Sequence, residues 1–385
     1  MENSQNFSPN LAPNQPTYDK PKKKRKWLRV ILIAMLVIIL LPVVLYVGLD
    51  IYGRITATKD FGDSEIQIKD MTWIKPEDNG FFLMQEAFLE TDSRITNLDQ
   101  IIEGLSLKEN ETLKSITAEY RNGLSLFNQV DQKPYFQPPD GASKESVSMP
   151  MSCFPNDWRY AASISIIKAI DLFESGEKEA SINQVITTLR IGEKVATSQY
   201  FMTAHNAGTD IMNQALKVLE SIVRQLSIDD PQRLIIKKAL IETQNINIGF
   251  VNAQKFNYLL SDLSLNKFAN DPTSILENNM NSLFFKLAVK NKFFFDKLAT
   301  KKMYFDLYEK HIAMTLTDNC SDTYVETVER EINEIILLTK ENNNNYSRNF
   351  LGKLHFSTTA NSFSWVFSKG CLCQNRVDLL LSQLQ

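Results

Sequence analysis

Four cysteines and three histidines are the residues of this 385-residue chain best suited to chemistry. Thiols pair, bind metal or attack, and their spacing decides which. Cys371 and Cys373 are separated by one residue, which disfavours a bond between them given disulfide geometry. In an oxidising compartment thiols brought close by the fold tend to pair, and a bond from that pair to Cys153 or Cys320 is one option, not the favoured one. A zinc site needs a second ligand pair, and the Cys-x-Cys has none nearby, so no metal is expected. His205, His311 and His355 form no His-Glu-x-x-His arrangement, the spacing that sets two ligands on one helical face. His205 stands at the edge of an apolar stripe beside Asn206 and Asp210 and reads as a hydrogen-bonded, partly buried histidine. There is no Gly-x-Ser-x-Gly elbow, and no glycine-rich loop precedes Lys-Ser/Thr to cradle phosphates. Acid pairs such as Glu177/Glu179 and Asp229/Asp230 stand at helix starts, where the dipole favours them. No catalytic residue and no cofactor is assigned.

The densest aromatic cluster is Phe284, Phe285, Phe293, Phe294 and Phe295, interleaved with Lys286, Lys290, Lys292 and Lys297. Two readings stand. It is a candidate interaction surface, docking a partner or touching the membrane, or it supplies the large anchors of a helical core. The core reading is the simpler.

The elements that position these residues begin with a membrane segment. From Val30 to Leu49 there are 20 consecutive residues without a charge. At 1.5 Å per residue they span the roughly 30 Å hydrocarbon core. Pro42 is tolerated there with a local kink. Lys20, Lys22, Lys23, Lys24, Arg25, Lys26 and Arg29 flank the N-terminal side, whereas only Arg54 and Lys59 follow before Lys69. The positive-inside rule puts the N-terminus in the cytoplasm and the remainder outside. A cleaved signal peptide is the rival reading, but its apolar region is usually about 7–15 residues. Pro21–Lys26 also matches simple nuclear-localisation signals, although cations beside a membrane helix already have a topological role. Of 42 Lys and Arg and 45 Asp and Glu, seven cations and two acids fall in residues 1–29. That leaves 35 cations against 43 acids beyond them, net −8, so nucleic acid is not an expected partner.

Four regions follow: a disordered basic cytoplasmic tail over 1–27, a transmembrane helix over 28–49, a juxtamembrane connector over 50–75, and an extracytoplasmic domain over 76–385. With 13 Gly and 13 Pro the chain has few turn formers, so the fold class is all-α. Ile66 and Ile68 permit one short connector strand. Phe81, Met84 and Phe88 mark a helix after Pro76, and Leu113 to Phe127 another. Prolines 134, 138, 139, 150 and 155 then interrupt the pattern, as a functional loop or a strap across the helices. Trp158, Ala162, Ile166, Ile170 and Phe173 form one stripe, and Gly176 ends that helix. Ala180, Ile182, Val185, Ile186 and Leu189 point inward from the next. A third carries Ala204, Ala207, Ile211, Val218 and Ile222. Each stripe covers one face, so the three must bury against one another. Further helices are expected at about 230–245, 250–264, 273–290, 294–317 and 322–340, with a short last one around Val377–Leu384. The small residues after Gly176 give a tetratricopeptide-like hairpin, but no second copy recurs at a fixed period. The expectation is therefore an irregular multi-helix domain containing one repeat-like hairpin.

The segments "WRYAASISIIKAIDLFESGEKEASINQVITTLRIGEKV", "EDNGFFLMQEAF", "NKFFFDKLATKKMYFDLYEKH" and "RVDLLLSQL" resemble a group of uncharacterised bacterial membrane-anchored helical proteins. The resemblance implies a fold and a topology, with no known activity and no catalytic residues. The expected role is a non-enzymatic interaction scaffold in the inner membrane, partnered by the lipid bilayer and by another envelope protein or peptide. The alternative is a periplasmic hydrolase or small-ligand-binding enzyme with a site built from scattered acids and histidines.

Overall fold

A computed structural model describes residues 22–63, 66, 74–89, 115, 117–137, 155–198, 202–243, 246–270, 283–317, 326, 330, 334, 349–359 and 364–385. Among them all regular structure is helical, apart from one isolated parallel bridge between Asn79 and Tyr135. Helix α1 (Lys22–Ile55) runs 34 residues, beyond both ends of the expected 28–49 span. The uncharged stretch marks what hydrocarbon would cover, not where helical hydrogen bonding stops. At the far end the Arg54 guanidinium meets Asp50 one turn back at 2.7 Å, and Thr56 closes the last turn onto the Tyr52 carbonyl. The connector therefore starts at Thr56. Residues 26–55 have a mean hydropathy of 3.3 in their most apolar window, long and apolar enough to cross a membrane. Their large side chains stay uncovered by protein, with Ile38 70% exposed.

A 3-10 turn (Pro76–Asp78) leads into α2 (Gly80–Leu89), which pairs with α3 (Arg121–Asp131). Next come α4 (Pro155–Glu174) and α5 (Lys178–Thr197). Gly176 joins them at φ +88, a backbone state that side chains other than glycine's resist. Helix α6 (Met202–Gln225) packs against both. The expected stripes are buried: Trp158, Ala162, Ile166 and Ile170 on α4, Ile182, Val185, Ile186 and Leu189 on α5, and Ala204, Ala207, Ile211, Val218 and Ile222 on α6. Phe173 is half-buried against the same core, and Ala180 is exposed with Gly176 and Glu177 at the hairpin tip. Gly208 lets α5 and α6 touch backbone to backbone. A Cβ there would stand 2.2 Å from the Ala196 nitrogen and 2.6 Å from its Cα.

The remaining helices are α7 (Gln232–Glu242), α8 (Ile246–Asn270), α9 (Leu283–Lys290), α10 (Lys297–Thr317), α11 (Phe350–Thr359) and α12 (Ser364–Gln383). Helix α12 is longer than its sequence signal. Its first half, Ser364–Cys373, is Gly- and Cys-containing with no clear apolar period, yet the helix lies along α6 and buries Cys371, Cys373, Val377 and Leu380. The stretches 273–282 and 322–340, except 326, 330 and 334, and much of the proline-rich segment lie outside the described residues, as does Ile68.

The core forms four adjoining clusters. The first gathers α4–α7 with the end of α12 around Ile166, Leu189, Leu219 and Leu380. The second centres on Phe81, Phe136 and Trp158, whose rings meet edge to face at 5.3–6.1 Å. The third joins Ile66 of the connector to Tyr258, Tyr304, Tyr308 and Phe356. The fourth, Leu265, Phe268, Val289, Phe295 and Leu351, lies next to α1 and fastens α9 to the domain.

Candidate functional site

Two features of the domain stand out: the junction with α1 and an open cleft between the 3-10 turn, residues 134–137, α5 and α8. At the junction the turn after α9 grips the last turns of α1. The Tyr46 hydroxyl donates to the Leu287 carbonyl at 2.8 Å, and the Asn291 amide donates back to the Tyr46 carbonyl at 2.9 Å. The Lys292 N–H meets Asp50 Oδ1 at 2.8 Å. Tyr46, Asp50 and Gly53 recur at intervals of four and three, hence on one face of α1. Gly53 makes room for the chain, since a Cβ would lie 2.3 Å from the Phe293 nitrogen. The same turn is pinned from behind, because Asn349 N–H donates to the Phe293 carbonyl at 2.7 Å and Asp296 N–H donates to Asn349 Oδ1 at 2.8 Å.

The aromatic cluster divides accordingly. Phe295 is 4% exposed against Phe268 in the fourth core cluster. Phe293 is half-buried, its ring 6.1 Å from Tyr52, and Phe294 packs on Phe293 at 5.3 Å. Phe284 and Phe285 lie on α9. In the basic flank, Lys22, Lys23, Lys24 and Arg25 are helical residues of α1, and Lys26 and Arg29 are exposed.

The cleft has a volume near 530 Å³ and is lined by Lys75, Asp78, Tyr135, Lys194, Ser198 and Asn252 among others. Part of its wall is the stretch 135–137, paired at Tyr135 with Asn79 in a parallel bridge and held by one buried side chain. Asn79 bonds both polar groups of the Gln137 backbone, accepting its N–H at 2.9 Å and donating to its carbonyl. Tyr135 is fixed by its N–H to Asp78 and its carbonyl to Gly80. The Lys194 ammonium donates to the carbonyls of Asp131 and Lys133, closing off the C-terminal end of α3. The Tyr135 side chain stands at the rim, 54% exposed.

The histidines face none of these surfaces. His205 is 1% exposed, its Nδ1–H donating to the Ala196 carbonyl at 2.9 Å while Nε2 faces Gly370 without a described partner. Burial pushes its pKa down to about 4. His355 sits between the Tyr304 hydroxyl at 2.8 Å and the Ser264 hydroxyl at 3.2 Å, and burial also lowers its pKa to about 4. His311 is buried on α10. Among the described residues no group of three or more His, Cys, Asp or Glu could hold a metal ion. Cys371 is disulfide-bonded, and Cys373 is a free thiol whose pKa burial raises to about 12. Cys153 and Cys320 lie outside the described residues.

One polar constellation escapes sequence reasoning. Asp63 of the connector accepts from the Tyr258 hydroxyl at 2.6 Å and from Lys301 Nζ at 2.7 Å, with Asp262 at 3.7 Å from the same ammonium. Lys301 also lies over the Tyr258 ring at 5.9 Å. Burial opposes the lysine charge, but the Asp63 hydrogen bond and the Asp262 charge hold its pKa above the ordinary value. Burial and Asp63 likewise raise Tyr258. Both groups therefore keep their protons, so neither is poised as base or nucleophile. The network locks the connector to α8 and α10. Asp63 and Lys301 lie 238 residues apart in the chain, and only Tyr258 and Asp262 are local neighbours. The chain matches no protein-family model, no curated protein and no solved structure.

Proposed function

We propose that the protein is a single-pass membrane-anchored scaffold, N-terminus in the cytoplasm, whose helical extracytoplasmic domain receives an extended segment of another envelope protein. The observation that carries this reading is the open cleft, with an aromatic side chain at its rim and the bridge-forming residue Tyr135 in its wall. Exposed tyrosines beside a groove are the residue type that anchors protein partners. The α4–α5 hairpin, repeat-like in its small-residue packing, forms one side of the support beneath it. The enzymatic alternative needs His205 or His311 open to a pocket with two carboxylates, whereas the two are 1% and 6% exposed.

The compartment draws support from two independent features. The cationic collar favours a cytoplasmic N-terminus, and the Cys371 disulfide fits an oxidising exterior. Photo-crosslinking of the full chain in its native membrane tests the scaffold reading. A benzophenone residue at Tyr135 or Asn252 is expected to give a discrete protein adduct, with none from exposed Ile228 on the far side of the helical stack. Equal labelling from all three positions, or none from the cleft, contradicts it.

A further inference from the structure

The junction with α1 fixes the depth of α9. This inference rests on α1 being the membrane span and asks what else then meets lipid. The uncharged stretch ends at Leu49, which marks the outer limit of the hydrocarbon. Tyr46 lies three residues inside that limit, about 4.5 Å at helical rise. Its hydroxyl is bonded to Leu287, so the C-terminal part of α9 lies at the same level. A side chain at that depth and facing outward can only meet acyl chains or the glycerol region.

Helix α9 is dressed for that position. Ala288 and Val289 turn inward to the fourth core cluster, whereas Leu287 is 44% exposed and Lys290 is exposed at the end of the helix. One face thus holds the domain, an apolar side chain faces away from it, and a cation stands where phosphates begin. This is the arrangement of a helix lying in the interface, its apolar side roughly 5–10 Å deep. The polar groups at this level are also satisfied within the protein, as lipid demands. The Tyr46 hydroxyl, the Asn291 amide and the Asp50 carboxylate each have a partner across the junction.

We infer that α9 is an interfacial foot: it lies in the outer headgroup–acyl boundary with Leu287 in lipid and Lys290 at the phosphates. The domain then rests on the bilayer at two places, α1 and α9, and does not swing on its connector. The partner is the lipid surface itself.

The test uses the full chain in mixed phosphatidylcholine and phosphatidylglycerol vesicles. A nitroxide is carried on a ketone-bearing residue, which leaves the native cysteines alone, at position 287, 290, 37 or 228 in turn. Oxygen partitions into the bilayer and a nickel chelate stays in water. At Leu287 the oxygen-to-nickel accessibility ratio is expected to be several-fold above that at Ile228 and below that at Val37, with Lys290 between Ile228 and Leu287. A Leu287 ratio equal to that of Ile228, with Val37 still favouring oxygen, overturns the foot and leaves the anchor standing. A Leu287 label shielded from both reagents means protein covers it, and this too overturns the foot. If Val37 itself is open to nickel, the anchor and the foot fall together.

Discussion

Two buried histidines make stability depend on acid. Each has a folded-state pKa of about 4 against an ordinary value of 6.5. The unfolded chain therefore binds more protons between these values, and stability falls as pH drops from about 6.5 toward 4. The loss is on the order of 3 kcal/mol per histidine. Thermal melting in detergent is expected to decline steeply between pH 7 and pH 4.5, and less steeply in His205→Gln and His355→Gln. An unchanged slope in both variants contradicts this. Lys301 supplies a second case. Lys301→Met takes the counter-charge from the Asp63 carboxylate, 12% exposed at its side chain, leaving it the Tyr258 hydroxyl, and is expected to lower unfolding stability by about 2–3 kcal/mol. Adding Asp63→Asn should return much of that, read from urea unfolding as a double-mutant cycle. Of these residues the sequence revealed only His205, because its neighbours on one helix gave a local context. Asp63, Tyr258, Asp262 and Lys301 become partners only after the connector folds back on α8 and α10.

Among the elements, the apolar stripes of α4, α5 and α6 were legible because each buries one face at helical spacing. What they did not reveal is how close the helices come. Gly208 admits the Ala196 backbone at distances no Cβ can share, so Gly208→Ala is expected to destabilise by about 3 kcal/mol or more, measured by chemical unfolding. A neutral result would mean that α5 and α6 can part without loss. Helix α12 was underestimated because Cys371 and Cys373, buried in its first half, are not residues an apolar period counts on. The α1 junction offers a separable test. Gly53→Leu drives a side chain into the Phe293 backbone while leaving the first three core clusters untouched. The melting temperature is expected to hold, while protease cleavage within 56–63 accelerates several-fold. Unchanged cleavage contradicts a rigid mount.

For the whole molecule, the governing physics is the placement of one apolar helix relative to an acidic helical domain. The long apolar helix and its cationic collar could be read from composition and charge alone, since both are features of local sequence. The way the domain stands on that span could not, because Tyr46 and Leu287 are 241 residues apart. Epitope accessibility is the most direct measurement of this arrangement, with one tag before Met1 and another after Gln385 on the intact chain in spheroplasts. Antibody is expected to reach the C-terminal tag at once and the N-terminal tag only after permeabilisation, with both retained in the membrane after an alkaline wash. An N-terminal tag reached first, or a full-length chain released into the wash, contradicts the placement.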